Sequence, residues 1–372
     1  MAIRKRFCVL WAVAVLLSAA ILFVPRRTEA YTESSGEAVF EVGSGRLLFS
    51  RREHTKLAPA STTKILTALI IIEDCALDAL IEVPKEGAGV EGSSIYLVAG
   101  EKLTVRDLLY GLMLRSGNDC AVTLALYHSG SIPAFAAAMN DRAVRAGARE
   151  SCFRNPHGLP DEKHCTTAYD LGLIAVAALR NPVFSEIVSA RSWTIPDGGC
   201  GYTRRLVNKN KMLSVYDGAD GVKTGYTKAA GRCLVTSATR GGMRIVSVVL
   251  NSPPMYERSS EILDLCYAEY SVYNLKNKIN DIFSISTDVP GKICRCSCGG
   301  DIYYPLTEKE YSEITVAVQL PQKVALPVYR GQEIGEVCIY LQNQLLFSQK
   351  IVSIVEVEKS YFDILREILQ GF

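Results

Sequence analysis

Charge of one sign is what this chain lacks first: 41 Lys and Arg stand against 39 Asp and Glu, a formal net charge of +2 over 372 residues. No basic stripe interleaved with aromatics emerges from that balance, so the electrostatic footprint of a nucleic-acid binder is missing and nucleic acid is excluded as a partner. Histidine is scarce, with four in all, and no Gly-x-Ser-x-Gly elbow occurs. His157 and His164 are therefore read as structural and not as members of a Ser-His-Asp triad. The twelve cysteines are scattered over a long chain whose apolar content can build its own core, which argues against a disulfide framework. The tightest group, Cys294, Cys296 and Cys298, is spaced too closely for paired CxxC ligands and has no histidine nearby. Packing or a local disulfide is left as its role, and no metal or cofactor is expected.

The length suits one large catalytic domain and a smaller companion. At the N-terminus Arg4, Lys5 and Arg6 precede an apolar run from Phe7 to Val24, then Pro25, Arg26, Arg27 and the small-residue site Thr28-Glu29-Ala30. This layout reads as an export signal over 1–30, cleaved after Ala30, with an uncleaved anchor as the alternative. Either way the body is expected at the outer face of the cytoplasmic membrane, in the cell wall or in the periplasm.

Two β-prone runs, Ala38 to Val42 and Leu47 to Ser50, flank Gly43-Ser44-Gly45 and predict a hairpin. The period then changes. Helical spacing (Ile65, Leu66, Leu69, Ile72) predicts a helix over 62–74, and further helices are expected over 105–114, 121–127, 132–146 and 168–179. Strand patterns return at Arg232 to Ala238 and Met243 to Leu250, and a helical segment follows over 256–273. Early and late strands sharing one sheet, with the helices packed beside it, would bury all these faces together. A catalytic domain is thus placed over 31–275. Beyond it, short β-rich runs at Ile314 to Leu320, Val324 to Tyr329 and Val337 to Leu341 predict a small all-β domain over 276–355. Residues 356–372 close the chain with an amphipathic helix: Tyr361, Ile364, Leu365, Ile368, Leu369 and Phe372 share one face, with Asp363, Arg366, Glu367 and Gln370 on the other. That helix fits a membrane surface through 360–372 or docking onto the β domain.

The chemistry concentrates in Pro59-Ala60-Ser61-Thr62-Thr63-Lys64, where a serine at a helix mouth precedes a lysine by three positions, so both side chains project from one face. A serine hydroxyl is a poor nucleophile until a base takes its proton, and lysine is such a base only when burial and a neighbouring cation depress its pKa. Alone the spacing is weak, since a capping serine followed by a solvated lysine is common. Ser116-Gly117-Asn118 after an amphipathic helix, and Lys223-Thr224-Gly225 before a strand, supply the company that makes it specific.

With these three motifs in this order, the chain resembles the D-alanyl-D-alanine carboxypeptidases of the low-molecular-mass penicillin-binding proteins. The likeness also runs through LAPASTTK (57–64), RSGNDC (115–120), NPHGL (155–159), TTAYDL (166–171), GVKTGYT (221–227) and GRCLVTSA (231–238), and extends from about Gly36 to the C-terminus. The resemblance implies an α/β (α+β) fold: a β-lactamase/transpeptidase-like domain with a central antiparallel sheet and a helical subdomain, plus the all-β domain. It implies Ser61 as acylated nucleophile, Lys64 as its base and Ser116 as proton relay to the departing D-alanine amine. Asn118 would hold the substrate amide. Lys223, the second cation, with Thr224, Gly225 and Arg258 would grip the terminal carboxylate, and the backbone N–H groups of Ser61 and Tyr226 would form the oxyanion hole. The expected partners are peptidoglycan stem peptides ending in D-Ala-D-Ala and β-lactams that mimic them.

Two other functions compete. A class A-like β-lactamase shares Ser-x-x-Lys and Lys-Thr-Gly, yet it needs a glutamate to activate the deacylating water; nothing between Asn118 and Lys223 reads as Glu-x-x-Leu-Asn, and the β-rich domain would be unexplained. A non-catalytic wall-binding protein on the same fold would not require an activated nucleophile.

Overall fold

The computed structural model describes residues 35–280 and 282–370; the expected signal segment over 1–30 and Phe372 of the terminal helix lie outside them. One five-stranded antiparallel sheet organises the first part. Its strands run edge to edge as Leu47–Arg51, Gly36–Glu41, Met243–Leu250, Gly231–Arg240 and Ala219–Thr227. Early and late strands do share it. The hairpin between the first two closes because the Glu41 carboxylate accepts from the Gly43 and Ser44 backbone N–H groups, at 2.7 and 2.6 Å.

The central strands are apolar on both sides because both sheet faces are covered. Period-2 alternation sends Ala38, Phe40, Val235, Val246 and Val248 into one core, shared with the helices Lys64–Asp74 and Ala168–Leu179. Val39, Leu234, Ala238, Ile245 and Val249 enter the other, beneath the helix Met255–Glu269. The Lys64–Asp74 helix is buried at every residue from Lys64 to Ile71, which is how a helix apolar all round behaves. Where the sequence suggested one facing stripe, the helical subdomain wraps the helix on all sides.

Boundaries moved where a local feature competed with the pattern. The helix expected over 256–273 stops at Glu269, and Ser271–Asn274, rich in β-favouring residues, pairs antiparallel with Tyr303–Leu306. Of the run Val324 to Tyr329 only Val324 is strand, the second residue of Lys323–Val324, since Pro327 has no N–H to offer a ladder. A helix over Pro182–Ser189 went unread although Asn181 caps it, accepting from Val183 N–H at 2.9 Å, and Pro182 opens it.

The second part builds a six-stranded sheet in the order Thr315–Gln319, Glu333–Leu341, Gln344–Ser353, Ile293–Cys298, Phe283–Thr287, Lys323–Val324, around its own core. Cys294, Cys296 and Cys298 all face that core. Arg46, in the turn of the first hairpin, reaches the small sheet of Ser271–Asn274 and Tyr303–Leu306 and the residues around it: it donates to Pro305 O at 2.6 Å, pairs with Glu310, and lies over the rings of Tyr270 and Tyr304.

Candidate active site

Ser61 occupies a single 3-10 turn, Ala60–Thr63, which feeds directly into the Lys64–Asp74 helix. Thr62 fixes the turn by donating its hydroxyl to Pro59 O at 2.6 Å, and Ala60 is held in the left-handed region at φ 48°. A non-glycine residue there is strained and persists only where its surroundings over-determine it. The surroundings are backbone. Gly225 packs so close that a Cβ would stand 3.1 Å from both Pro59 O and Ser61 N, and one on Gly158 would lie 1.8 Å from Ala60 O. Glycine after Lys-Thr is thus a requirement of the edge strand's approach to the serine turn.

Lys64 is fully buried. Its Nζ lies 3.1 Å from Ser61 Oγ, 2.7 Å from Asn118 Oδ1 and 2.7 Å from His157 O. Burial holds its pKa well below the lysine range, and the nearby Lys223 ammonium pushes the same way. A neutral amine has two N–H bonds and one lone pair. The amide and peptide oxygens can only accept, so they take the two hydrogens and leave the lone pair for the Ser61 hydroxyl. Asn118 is itself fixed, donating Nδ2–H to Glu91 O at 2.6 Å and its backbone N–H to Ser93 O at 2.7 Å.

Ser116, at φ 64°, carries a buried hydroxyl with no partner among the described residues, an orphan that a substrate group could satisfy. Lys223 sits on the edge strand Ala219–Thr227, 3% exposed, with Nζ 3.0 Å from Thr224 O. Burial first, then the charge of Lys209, lowers its pKa to about 7.

A polar cavity of about 490 Å³ opens over Ser61 and is lined by Asn118, Tyr226, Thr227, His157, Gly158 and Tyr96, among others. Two cations that the sequence reading passed over also line it, Lys209 and Arg115. Neither makes an ion pair among the described residues. Burial and Arg115 lower the Lys209 pKa. Lys209 lies in Asn208-Lys209-Asn210, outside any periodic pattern, so only the three-dimensional arrangement could reveal it. The wall bearing Tyr96 is held by Arg204, which donates to Ile95 O and Tyr96 O at 2.9 Å each and pairs with the buried Glu101.

Arg258 is a correction. Like Ser116, Lys223, Thr224 and Gly225 it is not among the residues lining this cavity, but unlike Lys223 its charge is taken up by carboxylates: its guanidinium forks onto the fully buried Glu37 at 2.9 and 2.7 Å and reaches Glu261 at 2.8 Å, over the Phe49 ring. Those carboxylates occupy its charge, and a buried Glu37 requires that partner. The two histidines hold a loop. His164 accepts the Arg154 N–H at Nδ1, 3.1 Å, so its Nε2–H donates to Thr63 Oγ1 at 2.9 Å. His157 contributes its backbone carbonyl to Lys64, and burial lowers the two ring pKa values to about 3 and about 4 for His157 and His164, keeping both neutral.

The family model described as D-alanyl-D-alanine carboxypeptidase matches residues 26–254, and that of penicillin-binding protein 5, C-terminal domain, matches residues 295–359. The D-alanyl-D-alanine carboxypeptidase DacF of Bacillus subtilis is 30% identical over 357 residues, covering 91% of this chain and 89% of the relative. Among solved structures, DacD from Francisella tularensis superposes with a TM-score of 0.66 at 25% identity, over 88% of this chain and 94% of its own. The D-alanyl-D-alanine carboxypeptidase of Mycobacterium tuberculosis gives 0.60 at 33% identity, over 63% and 90%.

Proposed function

The chain belongs to the D-alanyl-D-alanine carboxypeptidase family and is a serine-type D-Ala-D-Ala carboxypeptidase, and from that premise we propose how its own residues do the work. Ser61 is the nucleophile and Lys64 its base. The observation that carries this is the Lys64 amine, fully buried, with two acceptors for its hydrogens and the Ser61 hydroxyl 3.1 Å away. Lys64 takes the Ser61 proton as Oγ attacks the carbonyl carbon of the penultimate D-alanine. The negative charge on the tetrahedral oxygen falls to the backbone N–H groups of Ser61 and Tyr226. Ser116, whose buried hydroxyl has no partner among the described residues, passes its proton to the leaving amine and takes in exchange the one that Lys64 removed from Ser61, the C–N bond breaks and D-alanine departs. Water then opens the acyl-enzyme by the reverse sequence.

Lys223 and Thr224 grip the free carboxylate of the terminal residue, which makes the action exopeptidic. Lys209 joins them in the place first given to Arg258, because it lines the cavity and has no acidic partner among the described residues. Stem peptides ending in D-Ala-D-Ala are the substrates, and β-lactams acylate the same serine. No carboxylate lines the cavity among the described residues, so nothing there plays the deacylating glutamate of a class A β-lactamase, and a penicilloyl adduct should persist.

We also propose that the body works outside the cytoplasm and touches the membrane through its terminal helix. The apolar run near the N-terminus supports the first. For the second, Tyr361, Phe362, Ile364, Leu365, Ile368 and Leu369 are all exposed.

Purified protein mixed with a fluorescent penicillin and with a D-Ala-D-Ala peptide tests the catalytic assignment. The adduct should map by mass spectrometry to the peptide holding Ser61, and Ser61→Ala should lose both label and D-alanine release. Release that survives the substitution would sink it.

A further inference from the structure

We propose that Cys152 and Cys165 form a disulfide that clamps the loop holding the catalytic lysine. The two residues face each other in an isolated antiparallel bridge and exchange both backbone hydrogen bonds, Cys152 N–H to Cys165 O at 2.8 Å and Cys165 N–H to Cys152 O at 3.0 Å. Opposed residues of such a pair hold their Cα atoms about 5.5 Å apart with side chains on the same face, inside the roughly 4.4–6.8 Å range that a disulfide spans, and their Cβ atoms, also about 5.5 Å apart in a hydrogen-bonded pair, draw in by about 1 Å as the bond forms. Both are free thiols and half-buried, so a small disulfide in solution can reach and oxidise them. Cys294 and Cys296 make the instructive contrast. Their Sγ atoms are 3.4 Å apart, yet both are fully buried, and alternate residues of one strand stand about 6.6 Å apart, at the edge of that range.

What the pair encloses gives the bond its consequence. Residues 153–164 contain no helix or strand, and they press on the nucleophile's helix through side chains and carbonyls. Thr67 Oγ1 donates to Pro156 O at 2.7 Å, Lys64 Nζ to His157 O at 2.7 Å, and His164 Nε2 to Thr63 Oγ1 at 2.9 Å. Gly158 lies against Ala60. If the loop opens, Lys64 loses one of the two acceptors that turn its lone pair toward Ser61. The Leu57–Thr166 bridge, the Arg154 N–H to His164 Nδ1 bond and Asn140, which bonds Phe153 in both directions, tie the same loop; a covalent link at the Cys152–Cys165 rung adds to these the one tie that thermal opening cannot break, and so removes open conformers from the ensemble.

The bond forms by thiol–disulfide exchange with a low-molecular-mass disulfide such as glutathione disulfide. The thiolate of one cysteine attacks the oxidant's S–S bond, making a mixed disulfide and expelling one glutathione thiolate. The second cysteine then attacks the protein-bound sulfur and expels the other. The protein loses two electrons and two protons, and two glutathione thiols gain them. The bond stands independently of the carboxypeptidase reading; only its kinetic effect rests on Lys64 being the base.

The test uses the full chain incubated with glutathione disulfide and digested with trypsin without reduction. A peptide in which Glu150–Arg154 is joined to His164–Arg180 should appear at two hydrogens below the summed mass and vanish with dithiothreitol. Lys163 is exposed, and reduction, by freeing the loop to open, should speed tryptic cleavage after it in the native protein and slow penicillin acylation roughly fivefold, the scale of a slightly misplaced base. The double variant C152S/C165S, which keeps small polar side chains, should match the reduced protein and ignore dithiothreitol. Absence of the cross-link from oxidised native protein overturns the proposal, as does a cross-link whose reduction changes neither Lys163 cleavage nor acylation. A cross-linked protein that opens at Lys163 on reduction but takes up no penicillin in either state supports the clamp and counts instead against the catalytic reading.

Discussion

Lys64 and Lys223 are both buried, and the charge of Lys223 makes the Lys64 proton harder to hold, as the charge of Lys209 does for Lys223. Burial leads for both; the next contribution to Lys64 is the charge of Lys223. Their jobs require opposite states: Lys64 must be neutral to accept the Ser61 proton, and Lys223 must be charged to hold a carboxylate. A pH profile of kcat/KM should therefore rise on the acid side as Lys64 loses its proton and fall on the alkaline side as Lys223 of the free enzyme titrates near 7, the two limbs belonging to the coupled pair. Lys223→Ala should cost roughly tenfold to a hundredfold in kcat/KM for the D-Ala-D-Ala peptide, the worth of one charge-assisted contact. It should also move the acid limb to higher pH, because removing a neighbouring cation lets Lys64 keep its proton longer. Lys223→Arg should leave that limb near its original place. Stopped-flow acylation across pH checks the sign, and an acid limb that moves down in Lys223→Ala refutes the coupling.

At the scale of elements, two of the three motif segments were legible because each announces a change of structure, a turn entering an apolar helix and a turn leaving one; the third, expected before a strand, lies inside the edge strand Ala219–Thr227. Lys64's burial was foreseen from the chemistry. His157's carbonyl could not be, since a backbone oxygen has no sequence signal, and Lys209 stood in an aperiodic stretch. Arg258 was misread for a physical reason. A helix that follows the last sheet strand can present an arginine to the cleft or to the sheet, and Glu37, on the Gly36–Glu41 strand, decides between them from more than two hundred residues away. Arg258→Met leaves Glu37 buried and unpaired, so it should destabilise the fold by about 3–5 kcal/mol. The same variant, where folded, should keep its KM for the peptide. Urea unfolding with steady-state kinetics separates the two roles; a raised KM at unchanged stability would return Arg258 to the cleft.

For the whole molecule, the sheet that carries catalysis and the sheet that follows it have separate cores, and the second ends in a helix with no core to join. Ser360 opens that helix by exchanging bonds with Asp363: backbone N–H to Oδ2 at 2.8 Å and, in return, Asp363 N–H to Ser360 Oγ at 3.3 Å. Lys292 anchors the same turn through Asp363 at 2.7 Å. A capped and anchored helix with apolar residues outward is a costly arrangement in water alone and a favourable one at a lipid interface, where burying each large side chain yields about 1.5–3 kcal/mol. Its polar face holds no excess of lysine or arginine, so the binding should depend little on anionic lipid or salt. The full chain is thus expected to co-sediment with neutral phosphatidylcholine vesicles, and a chain ending at Ser360 to stay in the supernatant while labelling with penicillin at an unchanged rate, because the Ser61 cavity is built by other segments. Binding that appears only with anionic vesicles and collapses at high salt would assign the attachment to charge and not to this apolar face.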